Sequence, residues 1–116
     1  MSDEVLDLNE FLERVQDDKE LLLELLDIFS DDYQKKRVQL EEAVKKNDSE
    51  QIKSVAHSLK GASGNISAKS MRESFMKLEQ MGEKKDISQA GGVLKTVDQQ
   101  FVALAKRMEE LKKQLK

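Results

Sequence analysis

The stretch Asp17–Asp48, DDKELLLELLDIFSDDYQKKRVQLEEAVKKND, decides the fold class. It holds neither proline nor glycine, so nothing in it breaks an intrahelical bond or loosens the backbone. Leu22, Leu25, Leu26, Phe29, Tyr33, Leu40 and Val44 fall mainly on one stripe at roughly 3.6-residue spacing. Charged residues fill most of the remaining face. The pattern predicts one long amphipathic helix from about Asp18 to Lys46. Asn47 and Asp48 then supply a turn, with Asp48 or Ser49 as the cap of the next helix.

The same periodicity extends in both directions. Upstream, LNEFLERV (8–15) predicts a short amphipathic helix with Asp7 as its N-cap. Downstream, a third helix is expected from about Ser49 to Ser67, and a fourth from about Lys69 to Glu83 with Met71, Phe75, Leu78 and Met81 on one face. In GEKKDISQAGG (82–92), Gly82 reads as a C-cap and Gly91–Gly92 as a second break. The last helix carries Leu94, Val97, Phe101, Leu104, Met108, Leu111 and Leu115 at alternating steps of three and four. Such a stripe can seed a coiled coil, but beside matching stripes in its own chain it is expected to pack internally. The expected fold is all-α: an antiparallel four-helix bundle with an additional short N-terminal helix, in a single domain over residues 1–116.

Composition narrows the function. Twenty basic residues against 23 acidic ones give a formal net charge of −3, which argues against a dedicated nucleic-acid binder. The chain has no cysteine, hence no disulfide framework and no thiolate metal site. No apolar run approaches the ~20 residues that span a bilayer, and the acidic start MSDEVLDLNE lacks the order of a signal peptide. A cytoplasmic protein with no membrane partner is expected.

AHSLKGASGN (56–65) then raises a chemical question, because it holds the only histidine. On a helix turning about 100° per residue, Ile52, Val55, Ala56, Leu59, Ser63 and Ile66 gather on the core side. His57 falls nearly opposite, with Lys53, Gly61 and Gly64 on its outer side and Lys60 one turn along toward the flank. Each glycine costs roughly 1 kcal/mol relative to alanine inside a helix, and core packing does not call for Gly61 on an outer face. A bare surface four residues from the histidine leaves room for a bulky group to reach the ring. The adjacent lysine ammonium favours a neutral, nucleophilic imidazole and can pair with an anion placed on it. A phosphoryl group fits best, since its transfer relies on alignment and charge neutralisation. One histidine and no cysteine leave only a carboxylate-based metal site possible, no Glu-x-x-His motif of the di-iron kind is found, and no metal is expected.

HSLKGASGNISA (57–68) resembles the signature of histidine-containing phosphotransfer (HPt) domains of two-component phosphorelays, with His57, Leu59, Lys60, Gly61, Ser63 and Ile66 matching. LNEFLERVQDDKELLLELLDIF is similar to the family's N-terminal helices and MRESFMKLEQMGEKKD to its segment after the signature, so the likeness runs from about Leu8 to Leu111. Ser67 stands where the family usually has glycine. The resemblance implies that His57 accepts the phosphoryl group on Nε2, that Lys60 supports it and that Gly61 opens the approach. Leu59 and Ile66 would be core residues fixing the presenting helix. Lys53 and Gly64 would face the partner.

That partner would be a response-regulator receiver domain, with a hybrid sensor kinase as a further candidate. Mg²⁺ is expected on the receiver, and no cofactor is expected in this chain. No ATP-binding loop or kinase signature is found, so a phosphocarrier rather than an enzyme is implied, acting as a monomer. Leu21 and Ile28, on the far side of the long helix, are expected beneath Phe11 and Leu12 of the short helix; otherwise they join the receiver-binding patch. Two other readings stand beside this one. An adaptor bundle would pair its last helix with a partner helix. An excised module of a hybrid kinase would carry the same chemistry, although the initiating Met and acidic start fit a standalone protein.

Overall fold

Three aspartates start the first three helices. Asp7, Asp18 and Asp48 accept hydrogen bonds from the backbone N–H groups of Glu10 (3.0 Å), Leu21 (3.0 Å) and Gln51 (3.1 Å). Each such cap contributes about 1 kcal/mol. They open α1 (Leu8–Arg14), α2 (Lys19–Lys45) and α3 (Ser49–Asn65). The helices α4 (Lys69–Lys84) and α5 (Ala90–Gln114) begin without a side-chain cap. The computed structural model describes residues 5–115; the first four acidic-start residues and residue 116 lie outside it. No strand and no helix long and apolar enough to cross a membrane occurs among the described residues.

The helix ends share one device. After α1, α2, α3 and α4 the chain turns through a left-handed residue: Gln16 (φ 54°), Asn47 (φ 55°), Ser67 (φ 58°) and Lys85 (φ 59°). At each end two backbone bonds close the turn, as in Ser67 N–H to Gly64 O (3.1 Å) and Ala68 N–H to Ser63 O (2.9 Å). None of the five glycines takes a positive φ.

Three boundary expectations are corrected by this. The third helix ends at Asn65, because Ser67 adopts the left-handed conformation that glycine serves at no steric cost. Gly82 is no cap: it is buried within α4, and Lys85 makes the turn. Gly91 and Gly92 lie inside the first turn of α5, the break falling just before them.

The helices α2 to α5 form the antiparallel bundle, with α3 and α4 in the most extended contact. The core takes Leu22, Leu26, Phe29, Tyr33 and Leu40 from α2, the expected face of α3, Met71, Phe75 and Leu78 from α4, and Leu94, Val97, Leu104, Met108 and Leu111 from α5. The stripe of the last helix is therefore spent inside its own chain, which removes the sequence feature on which the adaptor reading stood.

Across the α2/α5 seam, Arg37 grips Asp98 through Nε and Nη2, both at 2.8 Å, while the Tyr33 hydroxyl donates to the same carboxylate at 2.9 Å. The Tyr33 ring stacks on Phe101 with centroids 4.3 Å apart.

The short α1 is tied to the α3–α4 turn. Asp7 N–H donates to Ser67 O (2.9 Å), Ser67 Oγ donates to Glu10 (2.9 Å), and Lys69 reaches both Asp7 (3.3 Å) and Glu10 (3.1 Å). Phe11 drops from α1 into the core. The expectation that α1 covers Leu21 and Ile28 fails: they remain 38% and 55% exposed. A seven-residue helix pinned to a distant turn through Asp7 and Glu10 has only Phe11 fully buried.

Candidate functional site

The site grows out of the α3/α4 seam, and Gly82 sets its register. A Cβ on Gly82 would lie 2.6 Å from Ser49 O and 2.7 Å from Lys53 N, so the two backbones touch where only glycine fits. From that contact the antiparallel pairing sets Gly82 against Lys53, Glu79 against His57 and Arg72 against Gly64. Within two turns of that contact, on one side of it, His57, Lys60 and Glu79 come together.

His57 projects from α3 with its side chain 69% exposed. Its Nδ1 lies 2.5 Å from one oxygen of Glu79, while the other oxygen accepts from Lys60 Nζ at 2.6 Å. Glu79 is the most enclosed of the three side chains, at 16% exposure. The Lys60 ammonium, and after it the His57 ring, hold the Glu79 carboxyl below its ordinary pKa against the effect of its partial burial. An ionised carboxylate on Nδ1 makes that nitrogen the N–H donor in the neutral ring. The lone pair then sits on Nε2, on the edge pointing to solvent. The Lys60 charge is paired with a carboxylate that also touches the imidazole.

The remaining expected residues divide. Gly61 is exposed, and a Cβ added there would meet nothing within 4 Å. Nothing inside the chain requires a glycine at this position. Gly64 is half-buried beneath Arg72, whose Cδ would stand 3.4 Å from an added Cβ. Lys53 lies at the Gly82 contact and forms no ion pair with the cluster among the described residues. Leu59 and Ile66 are buried and fix the helix, as expected.

On the other flank, Lys36 of α2 donates to Ser58 Oγ at 2.6 Å and pairs with Asp32 at 3.0 Å. Ile28 lies one turn before Asp32, so a ridge runs from exposed Ile28 through half-buried Asp32 and Lys36 to Ser58, the residue beside His57.

Glu79 is the participant that the sequence reading missed. It sits next to the core residue Leu78, four residues after Phe75 and three before Gly82, at the edge of the apolar stripe. A carboxylate at that edge, one turn from a buried glycine, is the available signal. No group of three or more metal-ligating side chains occurs among the described residues.

The molecule is a helical bundle that exposes one imidazole, oriented by a carboxylate that a lysine also holds. The sequence model of the Hpt domain matches residues 24–114, most of the chain, and the protein belongs to the Hpt domain family. The fold is similar to the crystal structure of histidine-containing phosphotransfer protein B (HptB) from Pseudomonas aeruginosa PAO1, with a TM-score of 0.88. That likeness covers 95% of this chain and 96% of the other at 20% identity. No functionally curated protein sequence matches the chain.

Proposed function

We propose that this single-domain chain is a phosphorelay intermediate and that His57 is its phosphoryl acceptor. The observation that carries the reading is the Glu79 carboxylate on Nδ1, which fixes the neutral ring as the tautomer with its lone pair on the outward Nε2, in a chain of the Hpt domain family. In the forward step the Nε2 lone pair attacks the phosphorus of an aspartyl phosphate on a receiver domain. The N–P bond forms as the P–O bond to the aspartyl oxygen breaks, and the aspartate leaves as a carboxylate.

The ring retains its Nδ1 hydrogen and becomes cationic, and Glu79 offsets that charge across the existing hydrogen bond. Lys60, already positioned by Glu79, supplies the positive charge that the phosphoryl oxygens meet. The return step to a second receiver aspartate reverses these events. Mg²⁺ belongs to the receiver, and this chain contributes orientation and charge.

Gly61 leaves the approach to the ring clear, and the ridge through Ile28, Asp32 and Lys36 gives the receiver a partly apolar footing. In this reading the chain acts as a cytoplasmic monomer, and a hybrid sensor kinase is one source of the phosphorylated receiver.

Incubation with phosphorylated receiver domains, read by intact-protein mass, tests the proposal. Wild type is expected to gain one acid-labile phosphoryl group and His57→Gln none. A folded wild type that stays unmodified, or a His57→Gln variant labelled equally, overturns it.

A further inference from the structure

Beside the His57 face lies a groove of about 540 Å³, bounded by α1, the end of α3 and the start of α4, which shares Lys60 and Gly61 with the site. Although the chain carries a net charge of −3, this groove is lined by four cations, Arg14, Lys60, Lys69 and Arg72, against two carboxylates, Glu10 and Glu73. Three of the cations are engaged. Lys60 pairs with Glu79, and both Lys69 and Arg14 pair with Glu10. The Arg72 side chain forms no ion pair or hydrogen bond among the described residues, although Glu73 lines the same groove. Its stem lies across the bare backbone of Gly64, with Cδ and Nε 3.4 and 3.5 Å from where a Cβ would be. Gly64 thus lets the arginine lie low over the groove floor.

Arg72 is badly placed to hold a phosphoryl group on His57. Gly64, the residue it crosses, is seven residues beyond His57, about 10 Å along the helix axis. Helical side chains lean toward the N-terminus, so the imidazole tilts away from that end of α3. A guanidinium at this distance, unpaired and in a net-positive groove continuous with the site, suits an acidic side chain on the body that covers His57.

We infer that Arg72 is a specificity-determining residue, which reads a carboxylate of the incoming receiver domain through the Gly61–Gly64 groove. The inference rests on the phosphorelay reading, with a receiver as the occupant.

The test compares two phosphoryl donors. Phosphoramidate is small: its P–N bond breaks, the Nε2–P bond forms and ammonia leaves, with no protein surface involved. Receiver domains from the same genome, loaded with acetyl phosphate and Mg²⁺, need the docking face. Arg72→Glu is expected to lower kcat/KM from its receiver about 10-fold or more at low salt, with the deficit shrinking as salt rises. It should leave kcat and the phosphoramidate rate unchanged, and Arg72→Lys should retain most of the wild-type rate.

Equal receiver rates for wild type and Arg72→Glu overturn the inference while the phosphorelay reading survives. A parallel loss with phosphoramidate also overturns it, since Arg72 would then act on the ring or its phosphoryl group. If wild-type His57 is labelled by no receiver, both fall together. Circular dichroism and thermal melting of each variant separate these outcomes from a folding defect, and Arg72→Gln, which removes the charge without reversing it, should show a smaller loss in the same direction.

Discussion

Two seams of the bundle carry the same arrangement for different ends. Across α2/α5, Asp98 holds a tyrosine hydroxyl and an arginine that stand four residues apart on one helix. Across α3/α4, Glu79 holds a histidine and a lysine three residues apart on one helix. In both, a carboxylate kept ionised by its cation orients a ring on the facing helix.

The difference lies at the far end of the ring. Tyr33 is packed between Phe29 and Phe101, whereas His57 presents its other edge to solvent. The two clusters orient their rings alike, but only the one at His57 leaves the oriented group open to a reactant.

The comparison breaks most sharply if the two carboxylates are removed in turn. Glu79→Ala should slow phosphoryl transfer by about 10- to 100-fold, the worth of a hydrogen bond to a charged ring, while changing stability little. Asp98→Ala should do the reverse, lowering unfolding free energy by about 1–3 kcal/mol in a urea titration with transfer intact. Equal effects of both on transfer would mean that the α2/α5 cluster also shapes the site.

The glycines sharpen the contrast. Gly82→Ala pushes a methyl group into the backbone of α3 and should cost about 1–3 kcal/mol, with Glu79 displaced and transfer reduced. Gly61→Ala adds a methyl group to open space and should raise stability by up to about 1 kcal/mol. Under the proposed function that space is taken up by the receiver, so transfer should nevertheless fall.

The smallest effect concerns acid. Asp98 has a lowered pKa, first from the Arg37 hydrogen bond, so its contribution is complete above the ordinary carboxylate value of 3.8 and is lost as pH falls through the depressed one. Asp98→Asn should flatten part of the stability loss below about pH 4 in thermal melts, and an unchanged acid limb would remove Asp98 from that role.

Much of this architecture was legible from periodicity and capping chemistry. The stripe on Asp17–Asp48, the aspartate caps and the apolar face opposite His57 each follow from spacing along one helix. The exposure of His57 follows from the same wheel. Glu79 was hidden because its contact depends on how far two helices slide past each other, and it is one of 23 acidic residues. Gly82 was misread because a glycine shortly before Lys84 and Lys85 looks like a helix end, when its lack of a side chain serves a neighbouring backbone. Leu21 and Ile28 show the same limit: a wheel gives the face of α2 but not where a separate seven-residue helix will rest.

The turn at Ser67 has a consequence for how the chain tolerates changes in length. It joins α3 to α4 through residues 66–68 alone, and α1 locks it through Asp7 and Glu10. One residue added between Ile66 and Ala68 would break the left-handed turn and its bonds to α1, and should loosen the pairing of Glu79 with His57, read as slower phosphoryl transfer. The same addition between Lys85 and Gln89 falls beyond the seam, where a longer loop alters only the path into α5. Insertions therefore divide this small domain into a gauged half and a forgiving one.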